Sequence, residues 1–213
     1  MTPWKNNNVL EHEKFVEAGL SENGKVVARD REHLRSLIRE RIAKYGPECN
    51  LNDIDVSNVT DMMGLFWDSK FNGDVSEWDV SNVTNMSYMF CNSKFNGDVS
   101  RWDVSNVKNM MGMFEHSPFN GDVSNWDVSS VVNMESMFHR TPFNGDVTKW
   151  DVSNVVNMSY MFMYSNFDRN LSRWNTSNAF DMTHMFAESP LDGKEPRWWV
   201  PIKKLPYVPG GKE

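Results

Sequence analysis

The sequence predicts a repeat solenoid, in which similar units stack along one axis. Tryptophan recurs at a constant interval of 24 residues, at Trp78, Trp102, Trp126, Trp150, Trp174 and Trp198. The residues around each tryptophan recur as well, as in the stretch WDVSNVTNMSYMF that begins at Trp78. A unit of this length cannot bury its own apolar side, whereas stacked copies can, so the repetition indicates a solenoid.

The first half of each unit predicts a short strand. Val75, Trp78 and Val80 follow the L-x-x-L-x-L spacing of leucine-rich repeats. The alternation of side chains along a strand then places Trp78 and Val80 inside and Glu77 and Asp79 outside. The fold class is therefore leucine-rich-repeat-like, with short parallel strands on one face of the solenoid.

The second half of each unit predicts a short helical turn on the opposite face. Met86, Met89 and Phe90 have the i, i+3, i+4 spacing of one helix face, and Asn85 before them is a suitable N-cap. The Asn-Gly pair that ends at Gly97 indicates a turn, in which glycine is free to take a positive φ. Six such units are expected, beginning at Ile54, Trp78, Trp102, Trp126, Trp150 and Trp174.

The ends of the array require caps, because an open solenoid end exposes its core. Upstream of the repeats, the sequence predicts a helix over about residues 31–45, capped by Asp30 and terminated by Gly46 and Pro47. The predicted organisation is a polar, loosely ordered N-terminus (1–24), an N-terminal cap (25–50), the solenoid (51–197) and a C-terminal capping tail (198–213).

Composition and motifs exclude several classes of function. The net charge of −7 argues against a nucleic-acid partner. No stretch is apolar for long enough to insert into a membrane. Cys49 and Cys91 form no disulfide framework, and no catalytic motif or phosphate loop is present. We expect a monomer that is not an enzyme and that binds no cofactor.

No metal site is expected from the histidines. His12, His33 and His184 share no repeat position, while His116 and His139 fall in adjacent units near one edge. No second pair of ligands accompanies them, so we interpret them as surface histidines. The recurrent methionines could suggest soft-metal binding and the tryptophans sugar stacking, but their spacing places both inside, where core packing explains them.

A ladder of carboxylates is expected on the outward side of the strands, at Asp55, Asp79, Asp103, Asp127 and Asp151. Like charges at this spacing repel each other, so something should offset the repulsion. A bound cation or a basic partner would do so. Hydrogen bonds from the serine two residues later, together with nearby lysine and arginine side chains, would do so as well, and we favour this second interpretation.

The repeat resembles that of a known family. The stretches FNGDVSEWDVSNVTNMSYMF (Phe71–Phe90) and FNGDVSRWDVSNVKNM (Phe95–Met110) resemble the repeat of BspA-like leucine-rich-repeat surface proteins of bacteria, which also occurs in mycoplasma lipoproteins. The resemblance covers about residues 51–194. It implies surface display, adhesion and protein–protein contact, with no catalytic residues. Cell-surface or secreted localisation is therefore expected. Residues 1–14 carry neither a signal-peptide core nor a lipidation motif, which makes a cytoplasmic protein the alternative.

The expected function is the binding of a protein partner, and the alternative is the binding of a glycan. Two surfaces could serve. The strand side, here named the polar face, offers Glu77, Asp79, Arg101, Asp103, Asn125, Asp127, Lys149, Asp151 and Arg173. The helical-turn side, here named the aromatic edge, offers Trp67, Tyr88, Arg140, Tyr160 and Tyr164. Because the polar face is broad and continuous, we favour it for docking, although aromatic and arginine side chains are the usual anchors of interfaces.

Overall fold

The computed structural model describes residues 19–200 of the chain. It contains strand β1 (Val26–Val27), helix α1 (Arg31–Tyr45) and strand β2 (Ile54–Asp55). The two strands pair in parallel, with Val26 opposite Ile54. The rest of the described chain consists of turns, bends, isolated bridges and stretches without regular secondary structure. The expectations for residues 1–18 and 201–213 lie outside the described residues.

Helix α1 begins and ends at specific capping residues. The carboxylate of Asp30 accepts a hydrogen bond of 2.8 Å from the backbone N–H of His33. At the other end, Gly46 takes a φ of 88°, and its N–H bonds the carbonyl of Ile42. Leu34 and Ile38 are buried in the same apolar cluster as the repeats. The helix therefore lies against the first unit.

Each unit is joined to the next by parallel backbone hydrogen bonds. The N–H groups of Tyr88 and Phe90 donate to the carbonyls of Met111 and Met113, at 2.7 and 2.8 Å. Isolated parallel bridges pair residues one repeat apart along the chain, from Asp61–Asn85 through Asn85–Asn109, Asn109–Asn133 and Asn133–Asn157 to Asn157–Asp181. Residues one repeat apart are consequently neighbours in space.

The expected strand at each tryptophan is wrong. Among residues 19–200, the strands are β1 and β2, and only β2 lies at a tryptophan position of the repeat. Elsewhere the chain turns, since the N–H of Trp78 bonds the carbonyl of Val75 at 3.2 Å. The indole N–H of Trp78 donates to the carbonyl of Leu51, which is the equivalent of Val75 one repeat earlier, at 3.0 Å. A side-chain bond thus joins the units where a strand would use its backbone.

The expected helical turn is wrong as well. Tyr88 and Asn92 have left-handed φ values of 55° and 52°. Bonds from Met89 to Met86 and from Cys91 to Tyr88 close tight turns of the i, i+3 type. Because each unit has two left-handed residues four positions apart, the N–H groups between them point at the next unit instead of at carbonyls within a helix.

The prediction of which side chains face the core is confirmed. Met86, Met89 and Phe90 are fully buried, and Trp78 is 4% exposed. The ring of Phe90 stacks on that of Phe95 within its unit, with centroids 3.8 Å apart, and on Phe114 of the next unit at 5.7 Å. The side chains that were expected to face the core therefore form one continuous apolar cluster.

The glycine of the Asn-Gly pair is required for a different reason from the one expected. Gly97 does not have a positive φ. A Cβ atom at this position would lie 2.7 Å from Cε2 of Phe95 and 3.2 Å from the carbonyl oxygen of Gly73. Glycine is needed here because the phenylalanine ring covers the backbone.

Candidate binding surfaces

All nine side chains of the polar face are exposed, as expected. Its charges belong to residues of both signs, and within residues 19–200 few of them form ion pairs. Glu77 lies 3.8 Å from the ammonium group of Lys25, which follows the turn at Gly24. This face is therefore a broad, solvated surface of mixed charge.

Hydrogen bonds within each unit occupy the carboxylates of the polar face. Oδ1 of Asp79 accepts the backbone N–H of Ser81 at 3.1 Å and its hydroxyl at 2.6 Å. Such bonds from the following serine lower the pKa values of Asp103, Asp127 and Asp151. These contacts support the interpretation in which hydrogen bonds from the serines offset the repulsion along the ladder.

The predicted residues of the aromatic edge lie in three stacked pairs, one of which includes His184. Trp67 is 60% exposed, and its ring stacks on that of Tyr88 with centroids 5.6 Å apart. In later units, the guanidinium of Arg140 lies 4.6 Å above the ring of the exposed Tyr164. Tyr160 stacks on His184 at 5.7 Å. Each pair presents a flat aromatic surface, and the pair of Arg140 and Tyr164 adds a cation.

Four of the five predicted edge residues stand on left-handed backbone. Tyr88 and Tyr160 have φ values of 55° and 60°, at the repeat position that Gly64 and Gly112 occupy in other units. Arg140 and Tyr164 share a second left-handed position, with φ values of 54° and 55°. A side chain in this conformation costs roughly 1–2 kcal/mol relative to its ordinary backbone. Glycine would remove that cost, so the large side chains there call for a separate explanation.

The structure also has an exposed apolar stripe that the sequence analysis did not predict. Val132, Val156 and Phe180 stand one repeat apart and are 43%, 41% and 41% exposed. The N–H of each bonds the carbonyl of the equivalent residue one repeat earlier. The same position holds Thr60, Thr84 and Lys108 in earlier units. The change from polar to apolar residues at this one repeat position is visible in the sequence and could have indicated the stripe.

A cleft separates helix α1 from the start of the aromatic edge. It has a volume of about 560 Å³, and its lining includes Arg35, Arg39, Trp67, Asp68 and Asn92. The amide of Asn92 donates to Asp68 at 2.8 Å, which fixes both side chains at its border. Polar groups beside an exposed indole ring are also suited to a sugar ring.

Three potential metal ligands meet on the same edge. The ligand atoms of Glu115, His116 and His139 all lie within 4.8 Å of one another. Nδ1 of His139 is 2.9 Å from Oε1 of Glu115, and the two imidazole rings meet edge to face at 5.3 Å. Sequence analysis missed this group because it compared the histidines only with each other. Glu115 stands exactly one repeat before His139, and this offset makes them neighbours.

Burial shifts the pKa values of two side chains at this edge, His116 and Cys91. Desolvation by neighbouring residues lowers the pKa of His116, against the opposing charge of Glu115. The thiol of Cys91 is buried, with Sγ 3.9 Å from Oε2 of Glu115. Burial, with the charge of Glu115, raises the pKa of Cys91 to about 12. At neutral pH this cysteine is a thiol that donates toward the carboxylate.

Within residues 19–200, no helix has the length and apolar character needed to cross a membrane. No curated protein matches the chain, and no solved structure matches it either. A family model matches it twice, over residues 39–140 and 92–198, and together these matches span most of the chain. The chain therefore belongs to the family described as Mycoplasma protein of unknown function, DUF285.

Proposed function

We propose that this chain is a non-catalytic binding module that holds a protein partner on its aromatic edge. The observation that carries the proposal is the placement of Tyr88 and Tyr160 on left-handed backbone, where Gly64 and Gly112 stand in other units. Strained backbone tends to persist where it serves a function. Here the function would be to present aromatic rings to a partner.

The exposed side chains of the edge are of the kind that anchor protein interfaces. Trp67 and Tyr164 are 60% and 44% exposed, and Arg140 is stacked on Tyr164. Trp, Tyr and Arg contribute most of the binding energy at protein interfaces, where they are enriched. The rings are already stacked on neighbours, so a partner would restrict few additional rotamers.

The polar face is less suited to be the anchor, although sequence analysis favoured it. Its carboxylates are engaged by serines of their own units, as Asp79 is by Ser81. A partner that used them would have to compete with these bonds. Exposed charges such as Arg101 and Lys149 would chiefly tune the association rate and its salt dependence. We therefore assign the polar face a secondary role.

The proposed architecture behind this surface is a leucine-rich-repeat-like solenoid with α1 as its N-terminal cap. The backbone bonds from Tyr88 to Met111 and from Phe90 to Met113, repeated from unit to unit, support this arrangement. The burial of Leu34 and Ile38 beside the first unit supports the role of α1. The resemblance to BspA-like proteins implies surface display and adhesion, and the family match supports the resemblance to repeat surface proteins only.

Site-specific photo-crosslinking tests the proposed surface. A benzophenone amino acid would replace Trp67 or Tyr164 on the aromatic edge, and Arg101 or Lys149 on the polar face as matched controls. Each variant would be irradiated in an extract of the organism that encodes the chain. We expect one discrete adduct from the edge positions and none from the controls. Adducts from the controls alone would contradict the proposal.

A glycan is the second candidate ligand, favoured by the cleft beside Trp67. Titration of the purified chain on a glycan array would separate the two functions. Saturable binding of one glycan class that Trp67→Ala abolishes, and that Phe180→Ala preserves, would assign the surface to sugar instead of protein. We expect no such binding.

A further inference from the structure

One repeat position on the aromatic edge carries a run of potential metal ligands. It is occupied by Cys91, Glu115 and His139 in three successive units, while His116 directly follows Glu115. Backbone bonds fix the spacing of these units, since the N–H of His116 donates to the carbonyl of His139 at 2.9 Å. The side chains are thus held side by side by the scaffold, and their approach does not depend on a flexible loop.

We propose that Glu115, His116 and His139 bind a transition-metal ion of the Zn²⁺ class. Two imidazoles and a carboxylate are a donor set that Zn²⁺ uses when a fourth position stays open. In a tetrahedral zinc site, neighbouring nitrogen and oxygen ligands lie about 3.3 Å apart. The ligand atoms here are within 4.8 Å of one another, so small side-chain rotations bring them to this spacing.

The ion would take the place of a shared proton. Nδ1 of His139 and Oε1 of Glu115 are now joined by a hydrogen bond of 2.9 Å. A metal ion between these atoms would accept one lone pair from each, and the imidazole proton would move from Nδ1 to Nε2. The two side chains are only 17% and 20% exposed, so water competes weakly with them. Partial burial and backbone-fixed spacing preorganise the site before the ion arrives.

The chemistry of the donors selects against other cations. Calcium takes six to eight oxygen ligands, and magnesium prefers oxygen in octahedral geometry. This group has one carboxylate, and imidazole nitrogens favour zinc, copper or nickel. The thiol of Cys91, 3.9 Å from Glu115, is a further soft donor beside the proposed position. The flanking units lack the set, because the equivalent pairs are Trp67–Asp68 and Met163–Tyr164.

Metal titration of the tag-free chain of 213 residues tests the proposal. The purified protein would be stripped with a chelator, dialysed and titrated with Zn²⁺ by calorimetry. Co²⁺ would serve as a spectroscopic substitute, since its visible absorption reports tetrahedral coordination. We expect one ion per chain and a visible Co²⁺ band. With Ca²⁺ in place of Zn²⁺, we expect no heat of binding.

Single substitutions identify the ligands. We expect Glu115→Gln, His116→Asn and His139→Gln each to weaken Zn²⁺ binding by more than about 100-fold, because even loss of an outer-shell partner costs 10–100-fold. His184→Asn is the matched control, since His184 also stands exposed on left-handed backbone two units further on from the His139 unit. Its affinity should equal that of the unaltered chain. Circular dichroism would verify that every variant is folded.

Two results would overturn the proposal. One is the absence of saturable Zn²⁺ binding by the unaltered chain, which would leave the group as a simple Glu–His hydrogen bond. The other is binding that survives His116→Asn and His139→Gln but is lost in Cys91→Ser, which would show a metal held by the thiol without the histidines.

Discussion

The indole Nε1–H of Trp102 donates a hydrogen bond of 3.0 Å to the backbone carbonyl of Val75, which is the equivalent of Val99 one repeat earlier. The same bond joins Trp126 to Val99. Donor and acceptor residues are buried, so neither group can turn to water. Each tryptophan therefore links two units by a directional bond as well as filling the core.

Replacing Trp126 with phenylalanine should destabilise the protein by about 2–4 kcal/mol. The change leaves the buried carbonyl of Val99 without its donor and creates a small cavity. Urea denaturation of the purified chain would measure the loss. Trp67→Phe is the matched control, because Trp67 is 60% exposed, and its effect should stay within about 0.5 kcal/mol. Equal losses for the two variants would contradict the assigned role of the indole bond.

Replacing Phe114 with alanine should cost about 3–5 kcal/mol, because its ring is fully buried in the middle of the array. It stacks on Phe119 at 3.7 Å and on Phe90 and Phe138 in the neighbouring units. Phe180→Ala makes the same chemical change at a side chain that is 41% exposed, and it should cost far less. A loss below about 1 kcal/mol for Phe114→Ala in urea would show that the core lies elsewhere.

Much of the side-chain orientation could be predicted from the sequence, whereas the backbone path could not. The spacing of Met86, Met89 and Phe90 reports which side chains share a face, and several backbone conformations give the same face. Capping residues signal helix α1 directly, because Asp30 and Gly46 act locally. A tyrosine does not signal a positive φ, so the left-handed backbone at Tyr88 was hidden.

The contacts of one candidate site could be predicted from the sequence more readily than those of the other. The serines that follow the aspartates of the polar face were recognised, because a hydrogen bond between residues two apart is local. The group around Glu115 and His139 needed a further step, which is that residues one repeat apart are neighbours in space. Applied to every position of the repeat, this rule would have placed Cys91 in the same group.

Acid should destabilise the protein through the carboxylates of the polar face. Hydrogen bonds from serines lower the pKa values of Asp103, Asp127 and Asp151 in the folded state. The associated stability is present above the unfolded pKa of about 3.9 and is lost as pH falls through the folded pKa values. Melting temperatures measured from pH 7 to pH 2 should therefore fall most steeply below about pH 4.

Substitution of all three aspartates by asparagine should reduce the fall in melting temperature at acid pH. Asparagine can still accept the serine N–H, as Asn175 does from Ser177 at 3.1 Å in the sixth unit, but it does not titrate. The comparison at pH 7 serves as the control for any loss of the bonds themselves. An unchanged dependence on pH in the triple variant would show that other groups govern acid unfolding.

Deletion of one complete unit should preserve the fold, and deletion of half a unit should not. Removing residues 150–173 joins Lys149 to Trp174 and keeps every ladder in register, with Trp174 placed to bond the carbonyl that Trp150 now uses. Removing residues 150–161 breaks the register and buries polar positions. We expect a cooperative thermal transition and a shorter particle in X-ray scattering for the first variant only. Equal tolerance of both deletions would contradict the stacked-unit architecture.

Helix α1 should stabilise the protein through the side chains that it buries against the first unit. Leu34 is fully buried and Ile38 is 2% exposed, and both belong to the apolar cluster that contains Leu51 and Phe66. Leu34→Ala should cost about 2–5 kcal/mol through the cavity that it leaves. Arg39→Ala, on the exposed side of the same helix, should change stability by less than about 0.5 kcal/mol in the same urea titration.

Removing the helix altogether makes the sharper test of its capping role. A chain that begins at residue 47 would expose the apolar side of its first unit, around Leu51 and Phe66. Exposed apolar patches of this kind promote association. Sedimentation velocity should therefore show oligomers or aggregates for the shortened chain, and binding of a hydrophobic dye should rise. If it instead remains a monomer with the melting temperature of the full chain, α1 is an accessory to the repeats and not their cap.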